Sequence, residues 1–595
     1  MTKVCFLTFY IDYSVGVYIL SSILQKAGYD VSNIFFKLPK SATIEWFKDN
    51  PNNMEEINRY GDIIGYNVDV NKWTETEVSL LINQINELSP DILCISSRST
   101  HNELVADILP EIKKRCKTTM IAGGMGPTLE PERYLDLVDY VYLGEAENSI
   151  IEIILALEKG KSLINENNIC YKKNGQIIKN KLRIPDINLL GFQEIPEKCF
   201  YIDNNKIYNF ENRSEILKTH SYSTFFGRGC ISSCSYCSAG QWRSIYKKEN
   251  INIKKRRNRS IEDIIEELKR AKQENYSFIH FRDEFLCADT KTLNHFFTLY
   301  KKEICLPFWA YLVPAQMLEN PETLKIAVNA GFVDTEIGFQ SGSDRINRAI
   351  FSRRISNKTT MEYAKLLSKY NINMKYDFIV FNPAETKDDI SITIKLIQSL
   401  PKKRSYLSLC RLFYFPVSPI VNILKDYEHI QHSASYYYSI SLIYLLSFLL
   451  PENELNKILK DEKMVSSHSF LKEKYKSFLK DNKVDFMIGT HNIPDSITTH
   501  RYKRILDNKK YKEVIVWANG NYFNELSDIF SNTNIIHLIN DDREEIGTMN
   551  TNFSSPDILN NVQKPIPIFI CSKDKQKVLN IISKDYPDYK GRVYV

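Results

Sequence analysis

The chain has 595 residues and a mass of 69.4 kDa, and its content of 43% hydrophobic and 25% charged residues is typical of a globular protein with several domains. The net charge of +6 is small for this length, so we expect no nucleic-acid partner. Twelve cysteines at irregular spacing do not resemble a disulfide framework, and the first residues lack the pattern of a signal peptide, so we expect a cytoplasmic protein.

Residues 1–155 alternate short apolar strands with amphipathic helices, beginning with the strand VCFLTFY and ending near VDYVYLGE. This rhythm predicts an α/β domain with a doubly wound, Rossmann-like parallel sheet, whose ligands lie beyond the carboxyl ends of the strands. Small and polar residues follow two of these strands: Ser96, Ser97, Ser99 and Thr100 after one, and Gly123, Gly124, Gly126 and Pro127 after the next. We therefore expect a ligand site at this edge of the sheet.

Residues 156–218 break the rhythm and are predicted to connect two domains, with Asn174–Gly175 indicating a hairpin. From 219 to 420 the alternation resumes with six strand candidates and helix patterns between most of them, one of which has Ser260 as its predicted N-cap. We predict a partial, TIM-like barrel of six βα units, whose chemistry lies at the C-terminal ends of the strands. The basic run KKRRNRS, which ends at Ser260, is interpreted as a solvated loop.

Residues 421–483 are predicted to be helical, and residues 484–595 are predicted to form a small α/β domain of unknown role. The segment from Ser433 to Leu450 is long enough to cross a membrane, but it contains five serines and four tyrosines and is followed by Pro451. We expect a buried helix there and no membrane span. The stretch WANGNYF in the last domain has a single glycine after a strand, too little to indicate a dinucleotide site.

Three cysteines, Cys230, Cys234 and Cys237, lie within eight positions in GRGCISSCSYCSAG, directly after an aromatic, strand-like run. A disulfide is disfavoured by the expected compartment and by the odd number. Structural zinc needs four ligands, usually in two separated pairs, and the other cysteines are scattered singly. Three ligands would leave one iron of a four-iron cluster open, and the amine and carboxylate of a substrate could chelate that iron.

The triplet and four later segments resemble the signature of the radical S-adenosylmethionine (SAM) enzymes over residues 219–420. FIHFRDEFL is similar to the second-strand motif that contacts the methionyl amine of SAM, TEIGFQSGSDRINRAI to the fourth-strand motif, FIVFNPAET to the fifth-strand motif that packs on adenine, and LFYFPVSPI to the sixth strand. In two departures, Asn382 stands where the fifth-strand motif has glycine, and the common Pro-Gly of the sixth strand is altered. The resemblance implies that the three cysteines ligate a [4Fe-4S] cluster and that SAM is contacted by Asp283, Glu284, Gln340, Ser341 and Arg411.

The first 155 residues are similar to the cobalamin-binding domain that precedes the barrel in one subclass of these enzymes. The similarity is carried by SVGVYILSSILQKAGYDV, PDILCISS and IAGGMGPTLEPERYLDLVDYVYLGEAE. The loop IDYSVG has Asp12 and Gly16 but lacks the histidine that binds cobalt in other cobalamin domains, which implies a cobalt without a protein imidazole below it. The implied cobalamin contacts are Ser96, Ser97, Gly123, Gly124 and Pro127.

The resemblance implies a cobalamin-dependent (class B) radical SAM methyltransferase. Such an enzyme abstracts hydrogen with a 5′-deoxyadenosyl radical and transfers a methyl group from SAM, via methylcobalamin, to an unactivated carbon. Three alternatives stay open: a cyclase or ring-rearranging enzyme with the same cofactors, a methylthiotransferase, and a non-catalytic cobalamin-binding protein. We expect a small-molecule or peptide substrate, an electron donor such as flavodoxin or ferredoxin, and no general acid or base. Three aromatic residues are candidates for the cavity wall: Tyr13, Trp309 and Tyr311.

Overall fold

The fold was determined as a computed structural model, which describes residues 1–10, 14–37, 73–99, 102–184, 186–187, 191–209, 221–276, 278–415, 417–427 and 432–481, with separate short stretches between 484 and 594. Three sheets organise these residues: a mixed sheet of nine strands near the N-terminus, a parallel sheet of six strands in the middle of the chain, and a parallel sheet of five strands near the C-terminus. The protein is therefore of the α/β class, as predicted.

The N-terminal sheet has the strand order β7-β6-β5-β4-β3-β1-β2-β8-β9. Its strands are Lys3–Phe9 (β1), Asp30–Phe36 (β2), Ile92–Ser96 (β3), Thr119–Gly123 (β4), Tyr140–Tyr142 (β5), Ile169–Lys173 (β6), Gln176–Lys179 (β7), Cys199–Asp203 (β8) and Lys206–Asn209 (β9). Strands β1 to β5 and β8 are parallel, whereas β6, β7 and β9 run antiparallel to their neighbours. The parallel arrangement predicted for the first 155 residues is present, and antiparallel strands extend it at both edges.

Helices cover both faces of this sheet because successive residues of its strands are apolar on both sides. Val4 and Phe6 pack with one buried cluster and Cys5 and Leu7 with another. The helices are Val15–Lys26 (α1), Glu75–Leu88 (α2), Asn102–Arg115 (α3), Met125–Leu129 (α4) and Ile150–Glu158 (α5). This two-sided packing is that of a Rossmann-like domain.

Strands β6 to β9 come from the segment predicted to connect two domains. Asn174 (φ 51°) and Gly175 (φ 78°) form the turn between β6 and β7. Two consecutive left-handed residues match the twist of a two-residue hairpin, so the predicted turn is confirmed. The segment thus belongs to the N-terminal sheet rather than lying outside it.

The six-stranded sheet contains only parallel neighbours and has the order β10-β13-β14-β15-β16-β17. Its strands are Ser221–Thr224 (β10), Phe278–Phe281 (β13), Phe308–Trp309 (β14), Phe332–Gln340 (β15), Asn373–Val380 (β16) and Ser405–Arg411 (β17), and a short antiparallel pair lies beside it, Gly227–Arg228 (β11) with Arg257–Asn258 (β12). Because spatial order follows chain order, each connection is a simple crossover. All six predicted strands are present.

The crossovers between these strands are helical. The helices are Ser238–Lys248 (α6), Ile261–Gln273 (α7), Thr290–Glu303 (α8), Pro314–Glu319 (α9), Pro321–Ala330 (α10), Asn357–Leu367 (α11) and Lys387–Gln398 (α12), and Ile346–Ile350 forms a single π-turn. Helix α7 begins where the sequence predicts, since the Ser260 hydroxyl accepts a hydrogen bond from the Asp263 backbone N–H. The amphipathic helices cover the outside of the sheet.

Helices follow the last strand of this sheet: Pro419–Ile423 (α13), Ala434–Leu449 (α14), Glu452–Lys460 (α15), Glu462–Ser466 (α16), His468–Lys474 (α17) and Lys476–Asp481 (α18). Helix α14 packs its buried residues Leu442, Ile443 and Leu446 into the largest core cluster, as expected for this segment. Among the residues with a described structure, no helix is long and apolar enough to cross a membrane.

The C-terminal sheet consists of five parallel strands with the helix Lys575–Asp585 (α19) beside them. In chain order, after the short pair Val484–Asp485 (β18) and Gly489–Thr490 (β19), its strands are Glu513–Ala518 (β20), Asn534–Ile539 (β21), Phe553–Ser554 (β22), Ile568–Cys571 (β23) and Val593–Tyr594 (β24). Val514 and Val516 face one buried cluster while Ile515 and Trp517 face the other. The rest of the WANGNYF stretch after Ala518 lies outside the described residues.

Candidate active site

A cavity of about 360 Å³ lies at the C-terminal ends of strands β13 to β17 and is called the cysteine cavity. Cys230, Cys234 and Cys237 line it together. They come from the loop between β11 and α6, in which the Cys237 backbone N–H donates to the Cys234 carbonyl at 3.3 Å and the Ser232 N–H donates to the Cys230 Sγ at 3.4 Å. The structure thus brings the three predicted ligands to one wall.

The donor chemistry of this wall fits an iron–sulfur cluster. Burial raises the pKa of Cys237 to about 12, and the neighbouring Cys234 and Cys230 add to this effect. Such thiols lose their protons when positively charged iron accepts the thiolates. Within the described ranges, no three His, Cys, Asp or Glu side chains converge closely enough to hold a single metal ion. In an iron–sulfur cluster each cysteine binds a separate iron, so the three cysteines need not converge on one ion.

Three predicted SAM contacts line the same cavity: Glu284, Gln340 and Arg411. Gln340 closes β15 with a left-handed backbone (φ 67°), an uncommon conformation for a residue other than glycine, and such residues concentrate at functional sites. The Arg411 guanidinium lies over the Phe381 ring, 5.2 Å from its centre. The Phe381 backbone is also left-handed (φ 62°).

The other two predicted SAM contacts lie behind the cavity wall. Asp283 is 1% exposed, and its carboxylate accepts hydrogen bonds from the backbone N–H groups of Phe226 (2.8 Å) and Gly227 (2.7 Å) and pairs with Arg256. Asp283 therefore holds the chain where it enters the cysteine loop. Ser341 is fully buried and accepts a hydrogen bond from the Ser343 N–H at 3.2 Å. Neither residue lines the cavity, and their contact with SAM stays a prediction.

Several residues of the cavity were not anticipated from the sequence. Glu336 and Asp377 line its interior, and Lys375 forms ion pairs with both, at 3.1 and 3.4 Å. Charged residues within otherwise apolar strands are the sequence signal that could have revealed this group, because they are rarely buried without a partner. Tyr236 and Arg353 also contribute to the wall.

The aromatic candidates for the cavity wall separate into three cases. Tyr311 lines the cysteine cavity. Trp309 packs edge-on against Tyr311, with ring centres 4.5 Å apart, but does not itself line the cavity. Tyr13 lies outside the described residues, as do Asp12 and Thr100.

A second cavity of about 430 Å³ lies beyond the carboxyl ends of β1, β3, β4 and β5 and is called the N-terminal cavity. Four of the five predicted cobalamin contacts line it: Ser96, Ser97, Gly123 and Gly124. The fifth, Pro127, is buried in α4 and does not line the cavity. Apolar side chains form much of the remaining wall, including Phe6, Val17, Ile121 and Ile153.

Gly124 is required by the geometry of this cavity. Its backbone is left-handed (φ 95°), and a Cβ atom would lie 2.8 Å from the Ser97 carbonyl oxygen. At the neighbouring Gly123, the nearest atom to a Cβ would be the Tyr142 Cβ at 3.9 Å. The absence of side chains thus lets two strand ends approach each other and leaves space beside them.

The two cavities share a wall. Glu284 lines both, and the consecutive residues Gly229 and Cys230 line the N-terminal cavity and the cysteine cavity, respectively. Burial raises the pKa of the Glu284 carboxyl, and the nearby Asp283 adds to the increase. A molecule in either cavity would therefore lie next to this carboxyl and to the start of the cysteine loop.

Buried ion pairs join the cysteine loop to the N-terminal domain. Arg228 donates to Glu145 at 2.9 Å and to Glu147 at 2.6 Å, and Glu145 also accepts from Trp242 Nε1 at 3.2 Å and pairs with Arg257. Burial alone would raise the pKa of Glu145, but Arg228 and Arg257 lower it below its ordinary value. These contacts fix the loop against the strand ends that form the N-terminal cavity.

The basic run KKRRNRS contributes three arginines to this core of ion pairs. Arg256, Arg257 and Arg259 are 9%, 12% and 1% exposed in their side chains and pair with Asp283, Glu145 and Glu267, respectively. The interpretation as a solvated loop is therefore wrong for the arginines, because carboxylates far away in the sequence neutralise them. It holds for the exposed Lys254 and Lys255.

Residues 224–397 match the sequence profile described as the Radical SAM superfamily. The predicted resemblance to the radical SAM enzymes is confirmed over these residues. The match begins at the last residue of β10, contains β13 to β16 in full and ends before β17, and it includes the three cysteines and Glu284.

The curated relatives of the chain are of low identity and include the following three proteins. They are an uncharacterised methyltransferase of Pyrococcus horikoshii (26% identical over 53% of this chain), the bacteriochlorophyllide d C-8(2)-methyltransferase of Chlorobaculum tepidum (23% over 54%) and the anaerobic magnesium-protoporphyrin IX monomethyl ester cyclase of Rubrivivax gelatinosus (23% over 57%). The matches cover 66%, 65% and 59% of these proteins, so the chain spans less than two thirds of their lengths.

Among solved structures, the radical SAM methyltransferase TsrM of Kitasatospora setae, with tryptophan and a SAM analogue bound, has a TM-score of 0.52 and 13% identity, covering 71% of this chain and 76% of TsrM. This similarity shows a shared fold. A second structure of TsrM contains cobalamin and a [4Fe-4S] cluster, and its TM-score is 0.49 at 13% identity over 72% of this chain and 75% of TsrM.

Proposed function

We propose that the chain is a cobalamin-dependent radical SAM methyltransferase, which transfers a methyl group from SAM, by way of cobalamin, to an unactivated carbon of a small-molecule or peptide substrate. The proposal rests on the shared wall of the two cavities. Glu284 lines both of them, and the consecutive residues Gly229 and Cys230 line one each. When bound, the cluster supplies the electron that cleaves SAM to a 5′-deoxyadenosyl radical, and cobalamin carries the methyl group.

The residues of the cysteine cavity have distinct roles in this proposal. Cys230, Cys234 and Cys237 would hold the cluster through their thiolates. Glu284 would accept a hydrogen bond from the SAM amine, and the guanidinium of Arg411 would bind the SAM carboxylate. The mostly apolar wall excludes water from the space in which a reactive radical would form.

The N-terminal cavity has the position and the chemistry expected of the cobalamin site. Its volume of about 430 Å³ and its apolar walls are those of a ligand site, and Ser96 and Ser97 offer hydroxyl groups near Gly123 and Gly124. The position beyond the carboxyl ends of parallel strands is where Rossmann-like sheets bind ligands. TsrM, which shares the fold, has been solved with cobalamin, and this supports the same cofactor here.

A cyclase or ring-rearranging enzyme with the same cofactors is the second candidate, since one relative is named as a cyclase. Product analysis separates the two functions. The protein, reconstituted without oxygen with iron, sulfide and cobalamin, is incubated with SAM and a reductant. We expect both 5′-deoxyadenosine and S-adenosylhomocysteine, the latter from methylation of cobalamin.

Each other outcome supports a different function. 5′-Deoxyadenosine without S-adenosylhomocysteine would contradict methyl transfer and favour the rearranging enzyme. Cobalamin binding without any cleavage of SAM would favour a non-catalytic cobalamin-binding protein. Cleavage that persists in Cys234→Ala would contradict the assignment of the cysteines as cluster ligands.

A further inference from the structure

Cys230 faces the outside of the protein as well as the cysteine cavity. A small pocket of about 20 Å³, called the outer pocket, is lined by Gly229, Cys230, Arg243, Lys254 and Lys255 among others. Both lysines are exposed, so the outer pocket opens to solvent. One of the predicted cluster ligands thus lies at a shallow depression of the protein surface.

The surface around the outer pocket is strongly basic. Three cationic side chains, Arg243, Lys254 and Lys255, line the outer pocket. Residues 243–255 contain one carboxylate, Glu249, and two further cations, the exposed Lys247 and Lys248, which follow Arg243 by about one helical turn at the end of α6. These side chains, called the basic rim, are Arg243, Lys247, Lys248, Lys254 and Lys255. Within the part of the chain that the structure describes, the basic rim forms no ion pair, in contrast to the arginines at 256, 257 and 259.

The backbone holds the two loop lysines next to the cysteine loop. A Cβ atom at Gly229 (φ 90°) would lie 2.3 Å from the Lys255 carbonyl oxygen, so only glycine permits this approach. The Arg256 guanidinium donates to the Gly229 carbonyl at 3.2 Å, and Arg228 lies opposite Arg257 in the antiparallel pairing of β11 with β12. The position of these positive charges beside Cys230 is therefore fixed by the fold.

We propose that the basic rim is the docking surface for an acidic one-electron carrier protein, a flavodoxin or ferredoxin, which delivers the electron through the Cys230 side of the site. This inference rests on the proposed function. The carrier loses one electron and the cluster gains one, and the same electron then breaks the C5′–S bond of SAM to give methionine and the 5′-deoxyadenosyl radical. The step consumes the one electron that the carrier gives up, and it takes up no proton.

Charge and location together favour such a partner. Redox complexes are weak and have small interfaces, so their formation depends on electrostatic attraction between complementary patches. The basic rim supplies five positive charges on the surface at and next to the outer pocket, which Cys230 lines. An attraction of this kind accelerates association up to several hundredfold at low ionic strength and weakens as salt is added.

The experiment measures reduction of the cluster, which does not depend on methyl transfer. The reconstituted protein is mixed with the hydroquinone form of an acidic flavodoxin in a stopped-flow instrument, and separately with dithionite. The variants are Lys254→Glu/Lys255→Glu and Lys247→Glu/Lys248→Glu. The control, Lys161→Glu/Lys173→Glu, makes the same change of charge at two exposed lysines of the N-terminal domain, after α5 and at the end of β6.

We expect each rim variant to be reduced by flavodoxin at least tenfold more slowly than the control at low salt, with a weaker dependence on salt, and to be reduced by dithionite at an unchanged rate. Flavodoxin rates equal to those of the control in both rim variants would overturn the proposal. An equal loss with flavodoxin and dithionite would also overturn it, because the lysines would then support the cluster rather than a partner. Tighter binding of a mixed tRNA sample than of flavodoxin would indicate an RNA surface instead.

Failure of the proposed function gives a different pattern. A protein whose cluster is reduced normally by flavodoxin but which forms no S-adenosylhomocysteine would retain the docking surface and lose the methyltransferase assignment. Direct binding of oxidised flavodoxin, measured by calorimetry in the absence of SAM, tests the surface independently of any turnover.

Discussion

Arg228→Gln removes the positive charge that joins the cysteine loop to the N-terminal domain. The Arg228 side chain is 15% exposed and bonds Glu145 and Glu147, which are 8% and 5% exposed. Removing one partner of a buried ion pair costs roughly 3–5 kcal/mol, because the remaining charge stays in a dry environment. Glu145 keeps Arg257 and Trp242, so we expect the lower end of this range, about 3 kcal/mol, which is about a hundredfold in the local opening equilibrium.

Hydrogen exchange of the backbone amides at residues 227–237 measures that equilibrium directly. We expect exchange in Arg228→Gln to be about a hundredfold faster than in the unmodified protein, with little change in β20 of the C-terminal sheet. The double variant Arg228→Gln/Glu147→Gln removes both charges and should recover most of the loss, since replacing both partners leaves no unpaired ion. Exchange rates within threefold of the unmodified protein in the single variant would refute the assigned role of these ion pairs.

Three further predictions concern the cluster, the N-terminal cavity and the helices near the C-terminal end of the six-stranded sheet. Cys234→Ala should lose at least tenfold in bound iron and in reductive cleavage of SAM, whereas Cys287→Ala, outside both cavities, should retain both, as iron analysis and product chromatography will show. Gly124→Ala should destabilise the N-terminal domain by about 1–2 kcal/mol and reduce cobalamin retention after gel filtration, because the backbone of Gly124 has a positive φ and the new Cβ would meet the Ser97 carbonyl oxygen. The control Gly123→Ala should have a small effect. Equal behaviour of the two variants would contradict the assigned role of Gly124. Burial, with a smaller contribution from Lys472, lowers the pKa of His468 to about 4, so its stabilising effect is complete above the unfolded value near 6.5 and is lost as pH falls towards 4. His468→Gln should therefore abolish a loss of about 2 kcal/mol between pH 7 and pH 5 in chemical unfolding, and an unchanged pH profile would show that another group is responsible.

The parts of the fold that depend on local patterns could be predicted from the sequence. The strands of the six-stranded sheet and the Asn174–Gly175 turn follow from apolar runs and turn residues. The position of β8 next to β2 could not be predicted, because this pairing joins segments that lie more than 160 residues apart and no local signal encodes it. The same holds for the antiparallel edge strands.

The candidate site shows a similar division. The cysteine triplet and Glu284 could be found because their chemistry is visible in short motifs. Asp283 was predicted to contact SAM, but its carboxylate faces two backbone N–H groups of the preceding loop, a geometry that depends on tertiary structure. The inward direction of Arg256 and Arg257 likewise depends on partners 27 and 112 residues away in the chain.

The ion pairs of Arg228 and Arg257 with Glu145 limit how this protein can be divided or recombined. A fragment that begins at residue 219 would carry these two arginines without the carboxylate that anchors them, so we expect its cysteine loop to be poorly ordered even though the fragment contains every residue of the cysteine cavity. A chimaera with the N-terminal domain of a relative should succeed only if it brings acidic residues to the positions of Glu145 and Glu147. We therefore expect the two domains to behave as one electrostatic unit rather than as exchangeable modules.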